Sequence, residues 1–397
     1  MPADPVSVTV AVGTAPYQKT LAASLLSAEI LRQVIDLGPY LDIREPNGTG
    51  DLESVKSFPG FAWSKRIVWG IWRRLPGKVR PPLVPTVWLA DWLLSRWIAP
   101  CKIFHSCTAF CLASLRAAKQ LGAITLVENA ACHPRQWKKV DIEECRRFGV
   151  KDRDSSGNQT ERLLRRIEQE FEECDRIVVP SVVAQQSFAE YGYGEKSVVV
   201  QTGVDAQFFS PGAPVSRPTS FRVCYVGRVE LAKGVGYLLQ AWKRLGLPGA
   251  ELVLVGEVKP HMKSLLKSYA DCGVQLAGFL PAHEVARCYR ESNLFVQPSP
   301  IEGLAQVLLE AMASGLAVVA THRTGANDCM MDGKEGWIIP PRNVDALADA
   351  ILWCYRHPEE LLAMGKAARA KIKSQFTLEH YNERIIALYR TLARAHS

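Results

Sequence analysis

The chain has 397 residues, 48% hydrophobic and 22% charged, enough for two domains that each bury a core without disulfides or a structural metal. Its longest uncharged run is 14 residues, 5–18, too short to cross a membrane, and no basic segment precedes an apolar one at the N-terminus, so neither an integral membrane protein nor a cleaved signal peptide is expected. The net charge of +8 is concentrated in 63–102, where eight basic residues face one acid, Asp91, beside six of the ten tryptophans; a patch so local fits one anionic surface or substrate, and no nucleic-acid-binding module accompanies it.

In chain order, 6–12 is predicted to be a buried strand and 18–36 an amphipathic helix. The region 47–100, rich in Pro and Trp, has the look of an insertion. Strands are expected at 102–105, 123–127, 176–179 and 197–200, with helical segments between several of them. The stretch 209–220, with Pro211, Pro214 and Pro218, is the best linker candidate. A second series follows, with strands at 222–226, 251–255, 294–297 and 316–320. Its helices are marked by stripes such as Val235, Leu238, Leu239 and Trp242, and by Leu304, Val307, Leu308 and Ala311. Helices near 343–356 and 381–392 end the chain. The expected fold class is α/β: two doubly wound, Rossmann-like domains facing across a cleft. Boundaries are expected at 1–205, 206–375 and a C-terminal helix, 376–397, returning to the first domain.

The eleven cysteines include no C-x-x-C pair. That usage suits a reducing cytoplasm and small buried side chains. The cluster Cys101, His105, Cys107 and Cys111 matches no standard zinc spacing. No metal site is expected.

Two loops are chemically loaded. Gly227-Arg228-Val229-Glu230-Leu231-Ala232-Lys233-Gly234 lies between a strand and a helix. Two cations bracketed by glycines suit a diphosphate, since glycine allows close backbone approach and the cations donate charge-assisted hydrogen bonds. Taken alone, the loop is equally a surface turn with two solvated cations. The second, 298–305, runs into a helix carrying Glu310. On one helix Glu302 and Glu310 would stand about 12 Å apart along the axis, which suits two anchors on one long ligand rather than a carboxylate dyad. The amides of Gly303, Leu304 and Ala305 are expected at the helix N-terminus, where they favour phosphate.

This combination, with 311–315 reading Ala-Met-Ala-Ser-Gly and 336–341 reading Gly-Trp-Ile-Ile-Pro-Pro, closely resembles the retaining glycosyltransferases of family four, strongly over about 221–350 and more weakly before that. The resemblance implies the GT-B architecture and a nucleotide-diphosphate-sugar donor. It implies that Arg228 and Lys233 neutralise the donor diphosphate, that Glu310 holds the ribose hydroxyls, and that Glu302 lies by the transferred sugar. Gly227 and Gly303 fit the family's turns. Leu304 and Ala305 stand where Phe and Gly are usual, so the Ala305 methyl narrows the donor pocket. Gly13 is the one glycine of the turn after the first strand, and His133 is the expected first-domain contact near the acceptor. His105 is assigned to packing.

The resemblance implies transfer of a hexose-type sugar with retention, by front-face attack of an acceptor hydroxyl, without a metal or other cofactor. Domain closure would exclude water. The acceptor is expected to be a glycan or lipid-linked, and the location cytoplasmic or peripheral at the inner face of the membrane. The segment 63–102 would dock on an anionic membrane, with Arg66, Trp69, Trp72 and Arg73 on one helical face. Two other readings stay open: a nucleotide-sugar 2-epimerase of the same architecture, and a non-catalytic nucleotide-sugar-binding or membrane-surface protein.

Overall fold

The computed structural model describes residues 6–12, 16–36, 88–89, 91–93, 95–150, 160–212 and 220–395. Among these, two six-stranded sheets, all parallel, are each flanked by helices.

The first sheet holds β1 (Val8–Val12), β2 (Leu31–Asp36), β3 (Ile103–Cys107), β4 (Ile124–Glu128), β5 (Arg176–Val179) and β6 (Ser197–Val199), in the order β2-β1-β3-β4-β5-β6. Its helices are α1 (Pro16–Ser27), α2 (Leu112–Gln120), α3 (Pro134–Arg147), α4 (Glu161–Glu173) and α5 (Val182–Ala189). The helix expected over 18–36 is thus two elements. Glu29 takes a left-handed backbone, φ 57°, which ends the helix. Val34, inside the expected helix, is instead buried on an edge strand opposite Val10.

The second sheet holds β7 (Arg222–Val226), β8 (Glu251–Val255), β9 (Val274–Gly278), β10 (Leu294–Gln297), β11 (Ala317–Thr321) and β12 (Gly336–Ile339), in the order β12-β11-β10-β7-β8-β9. Around it lie α6 (Val235–Leu245), α7 (Met262–Lys267), α8 (Ala282–Arg290), α9 (Gln306–Ala313), α10 (Val344–Arg356) and α11 (Pro358–Gln375). Periodicity does not mark β9 or β12. Both are edge strands, and the β9 residues Gln275 and Leu276 are exposed, so neither strand needs a fully apolar run.

The last helix, α12 (Leu378–Ala395), leaves this unit and packs on the first. Tyr381, Ile385, Tyr389 and Leu392 share a core with Val8, Val10, Leu21 and Leu25. The two chain crossings touch at one point: the Val204 amide donates to the Phe376 carbonyl at 2.9 Å. A Cβ on Gly203 would stand 2.2 Å from the Thr377 carbonyl oxygen, so only glycine fits there. The proposed linker is described only at 209–212 and 220.

Helix α3 joins the halves a second time. Its buried Cys145 belongs to the core of the second unit, and Phe148 just beyond it packs there too. Glu144, wholly buried, accepts from Arg342 Nε at 2.6 Å and from the Tyr237 hydroxyl at 2.6 Å. A buried carboxylate is tolerable only when paired and hydrogen-bonded in this way.

Candidate active site

In the second sheet the chain builds outward from β7 in one direction and, after β9, returns to place β10 on the other side of β7, with Phe295 opposite Cys224. The helices that follow β7 and β10 pack into different cores, so the loops before them form the lip of a crevice at the carboxyl ends of the strands, where such sheets bind ligands. These are 227–234 and 298–305, the two loops singled out by their charges.

The loops are stitched together. Gly234 has φ 74°, and a Cβ there would come 2.1 Å from the Pro298 carbonyl oxygen. The Ser299 hydroxyl donates to the Lys233 carbonyl at 3.2 Å and accepts from Gln297 Nε2 at 2.9 Å. This close approach carries Lys233 to Glu302, with which it forms an ion pair.

A cavity of about 470 Å³ opens beside the pair. Gly227, Arg228, Lys233, Glu302, Leu304, Ala305 and Glu310 all line it; so do Ala130 of the first half and Gly203 and Asp205 of the crossing. Arg228 Nη2 lies 2.9 Å from Glu230 Oε1, and its guanidinium stands 5.5 Å from the Trp137 ring of α3. Glu310 is the partner of Tyr289, whose hydroxyl donates to it at 3.2 Å. Burial pushes the Glu310 carboxyl up to about 7, with the Tyr289 hydrogen bond acting in the opposite direction.

Three expectations need correcting. Glu302 and Glu310 do not share a helix: α9 starts at Gln306, and Ala305 is its extended N-cap. The Ala305 amide is spent on the Thr324 carbonyl at 3.2 Å, so the free helix amides are those of Gln306 and Val307 instead. Gly303 does not line the cavity. It clamps the halves: a Cβ there would meet the Ala130 oxygen at 2.6 Å, and its carbonyl accepts from the Ser181 hydroxyl at 2.7 Å.

His133 is not brought to the cavity either. It is fully buried, caps α3 through Nδ1, and stacks on Tyr191 with centroids 4.1 Å apart. Phe171 and Phe188 close around it. Burial lowers its pKa to about 4, which keeps the ring neutral. His105 is likewise buried and held down to about 4. Gly13 lies outside the described residues. Residues not foreseen are Tyr289, Trp137 and Glu230. Only Glu230 carried a local signal, an acid placed between the two loop cations.

Residues 220–357 match the family described as Glycosyl transferases group 1. Both charged loops and Glu310 fall inside that stretch. Among curated relatives, WcaL of Escherichia coli strain K12, named as a glycosyltransferase of colanic acid biosynthesis, is 29% identical over 50% of this chain and 52% of its own. The amylovoran biosynthesis glycosyltransferase AmsK of Erwinia amylovora is 28% identical over 46% and 47%. The D-inositol 3-phosphate glycosyltransferase of Mycobacterium avium is 27% identical over 61% of each. The chain thus spans about half the length of the first two relatives.

Solved structures match nearly the whole chain. Sucrose-phosphate synthase from Thermosynechococcus elongatus superposes with a TM-score of 0.67 at 18% identity, over 98% of this chain and 100% of its own. Anabaena Alr3699/HepE in complex with UDP and glucose gives 0.63 at 14%, over 97% and 100%. At such identities the likeness establishes the fold: the architecture is GT-B, as expected. Among the described residues no group of three His, Cys, Asp or Glu side chains is placed to hold a metal.

Proposed function

We propose that the protein is a retaining glycosyltransferase that moves a hexose-type sugar from a nucleoside diphosphate, UDP being the favoured nucleotide, to a hydroxyl of a glycan or lipid-linked acceptor. The observation that carries this reading is the convergence of Arg228, Lys233, Glu302 and Glu310 on one cavity at the switch point of the second sheet. Two cations and a carboxylate held by Tyr289, gathered on one cavity, suit the diphosphate and the ribose of a nucleoside diphosphate. The UDP and glucose named for the Anabaena structure, and the polysaccharide syntheses named for WcaL and AmsK, support the same donor and acceptor classes.

In this mechanism the bond between the anomeric carbon and the diphosphate oxygen breaks as the acceptor oxygen bonds to the same face. The acceptor proton passes to the departing phosphate oxygen. Arg228 and Lys233 meet the charge that develops on the leaving group, where a preorganised cation is worth most. Two protein cations there remove the need for a metal. Glu302, released from Lys233 as the lysine turns to phosphate, accepts from sugar hydroxyls. Glu310, ionised, accepts from the ribose. His133 acts in this scheme by holding the start of α3, and so the Trp137 ring beneath Arg228.

The test is a thermal-shift screen of nucleotide sugars, followed by assay of the best binder with and without hydroxyl acceptors. Donor-dependent stabilisation of about 2.7 kcal/mol at a hundredfold excess over Kd, with transfer to an added acceptor, is expected. Isomerised donor without any acceptor would favour the 2-epimerase reading. Binding without turnover toward a broad acceptor panel would favour a non-catalytic one.

A further inference from the structure

Only the end of the basic, Trp-rich stretch is described; Ile98 joins the core, Trp88 is half-buried, and four other apolar side chains point outward. Leu89, Trp92, Leu93 and Trp97 are 56%, 47%, 43% and 63% exposed. They are pinned in that pose. Asp91, between them, is wholly buried; its carboxylate accepts from the amides of Ala113 at 2.8 Å and Ser114 at 3.0 Å at the start of α2, and pairs with Arg166 at 2.9 Å. Gln33 holds the other end, donating to the Trp97 carbonyl and accepting from the Ala99 amide, both at 3.0 Å. With the backbone anchored on both sides by buried polar groups, two indole rings stay in water that ordinary core packing would remove.

Among the described residues, the charged side chains stacked on Trp92 and on the neighbouring Trp88 are all cations. The Arg96 guanidinium sits 3.8 Å from the Trp92 ring centroid, and Arg162 and Arg166 lie 5.2 Å and 4.8 Å from the Trp88 ring. Asp91, the sole acid of 63–102, is turned inward and matched by Arg166. Three acids on α4 are engaged as well: Glu161 with Arg135 and Arg165, Glu173 with Arg116, and the buried Glu170 with the amides of Ala109 and Cys111. A second copy of this chain would bring the same positive face and be repelled. A surface that combines exposed Trp and Leu with stacked arginines is complementary to a headgroup boundary, where indole rings settle and guanidinium groups meet phosphate.

We propose that this face docks the protein on an anionic lipid bilayer, with Trp92 and Trp97 entering the boundary between headgroups and acyl chains and Arg96 and Arg162 contacting lipid phosphate. The helical face expected from Arg66, Trp69, Trp72 and Arg73 lies outside the described residues, so the docking side chains named here are different ones. The proposal is independent of the sugar-transfer reading.

The test is co-sedimentation of the full chain with vesicles of phosphatidylcholine, with and without phosphatidylglycerol. Binding should require the anionic lipid and weaken as salt is added. A Trp92→Ser, Trp97→Ser double variant should lower partitioning on the order of tenfold at any salt. An Arg96→Glu, Arg162→Glu double variant should lower it by a similar factor at low salt, with the difference shrinking at high salt. Melting temperature and nucleotide-induced stabilisation, read on the same variants, should match the parent, since none of the four residues lines the cavity. A parent that stays in the supernatant at low salt overturns the proposal. So do folded variants that bind like the parent, or a parent dimer in sedimentation velocity that the Trp substitutions abolish.

Discussion

Lys233 is ion-paired with Glu302 across the switch point, so the cation of the β7 loop and the carboxylate of the β10 loop neutralise each other. Neither charge is left bare in a partly desolvated crevice. In the proposed transfer a donor diphosphate would exchange places with Glu302 at Lys233 without creating a new unpaired charge, because the carboxylate would then face sugar hydroxyls.

Lys233→Ala and Arg228→Ala should each lower kcat/KM on the order of a hundredfold or more. The loss should fall mainly on kcat, since leaving-group charge is larger in the transition state than in the bound donor. Steady-state kinetics with the donor found by screening checks this. Near-normal turnover in either variant would remove the phosphate assignment.

Under the proposed ribose contact, Glu310 should make donor binding sensitive to pH. Burial lifts its carboxyl to about 7, whereas ribose hydroxyls would donate to the ionised form. Affinity for UDP-glucose should therefore rise between pH 6 and 8, by up to about tenfold, and Glu310→Gln should flatten the profile. His105 and His133, both held to about 4, stay neutral over this window. Calorimetric titration across the range reads the effect, and a parent without pH dependence would count against the ribose assignment.

The same shift acts on stability with a definite sign. The fold binds the Glu310 proton more tightly than the unfolded chain, whose value is near 4.5, so stability is present at low pH and lost as pH rises from about 4.5 through 7. At pH 8 Glu310→Gln should be more stable than the parent by roughly 1–3 kcal/mol. Chemical denaturation at pH 5 and pH 8 tests it; an equal difference at both would show that the proton is not involved.

Gly303→Ala should destabilise by about 1–3 kcal/mol, the usual cost of overpacking. Its methyl would press on the backbone at Ala130 and Ala131, which has no flexible end to move aside. Because the Glu302 loop is held at this point, activity should fall as well. Unchanged melting and turnover would mean that the halves separate here more freely than the contact implies.

Arg342→Met should cost about 3 kcal/mol or somewhat more, since it leaves the buried Glu144 carboxylate without its cation. Adding Glu144→Gln should recover part of that loss, and a double-mutant cycle in denaturant measures how much.

By itself the sequence determined the kind of elements and the identity of the charged loops. Strands such as 222–226 and 251–255 are continuous apolar runs, and Arg228, Lys233, Glu302 and Glu310 stand out because charge flanked by glycine or set on an apolar helix face is a local pattern. The tertiary structure alone decided which loops meet. That β10 lies beside β7 rather than β9 is what joins the two charged loops into one cavity, and that order depends on the long crossover from Val226 to Leu294, about which a periodicity of 2 or 3.6 says nothing. It also decided the fate of His133. A histidine before Pro134 in a polar-looking loop carries no local sign of the ring at Tyr191 and the two phenylalanines that bury it, because those neighbours arrive from α4, α5 and the turn after α5. Burial is a property of what packs against a residue, and packing between distant segments is settled only when the chain closes its core.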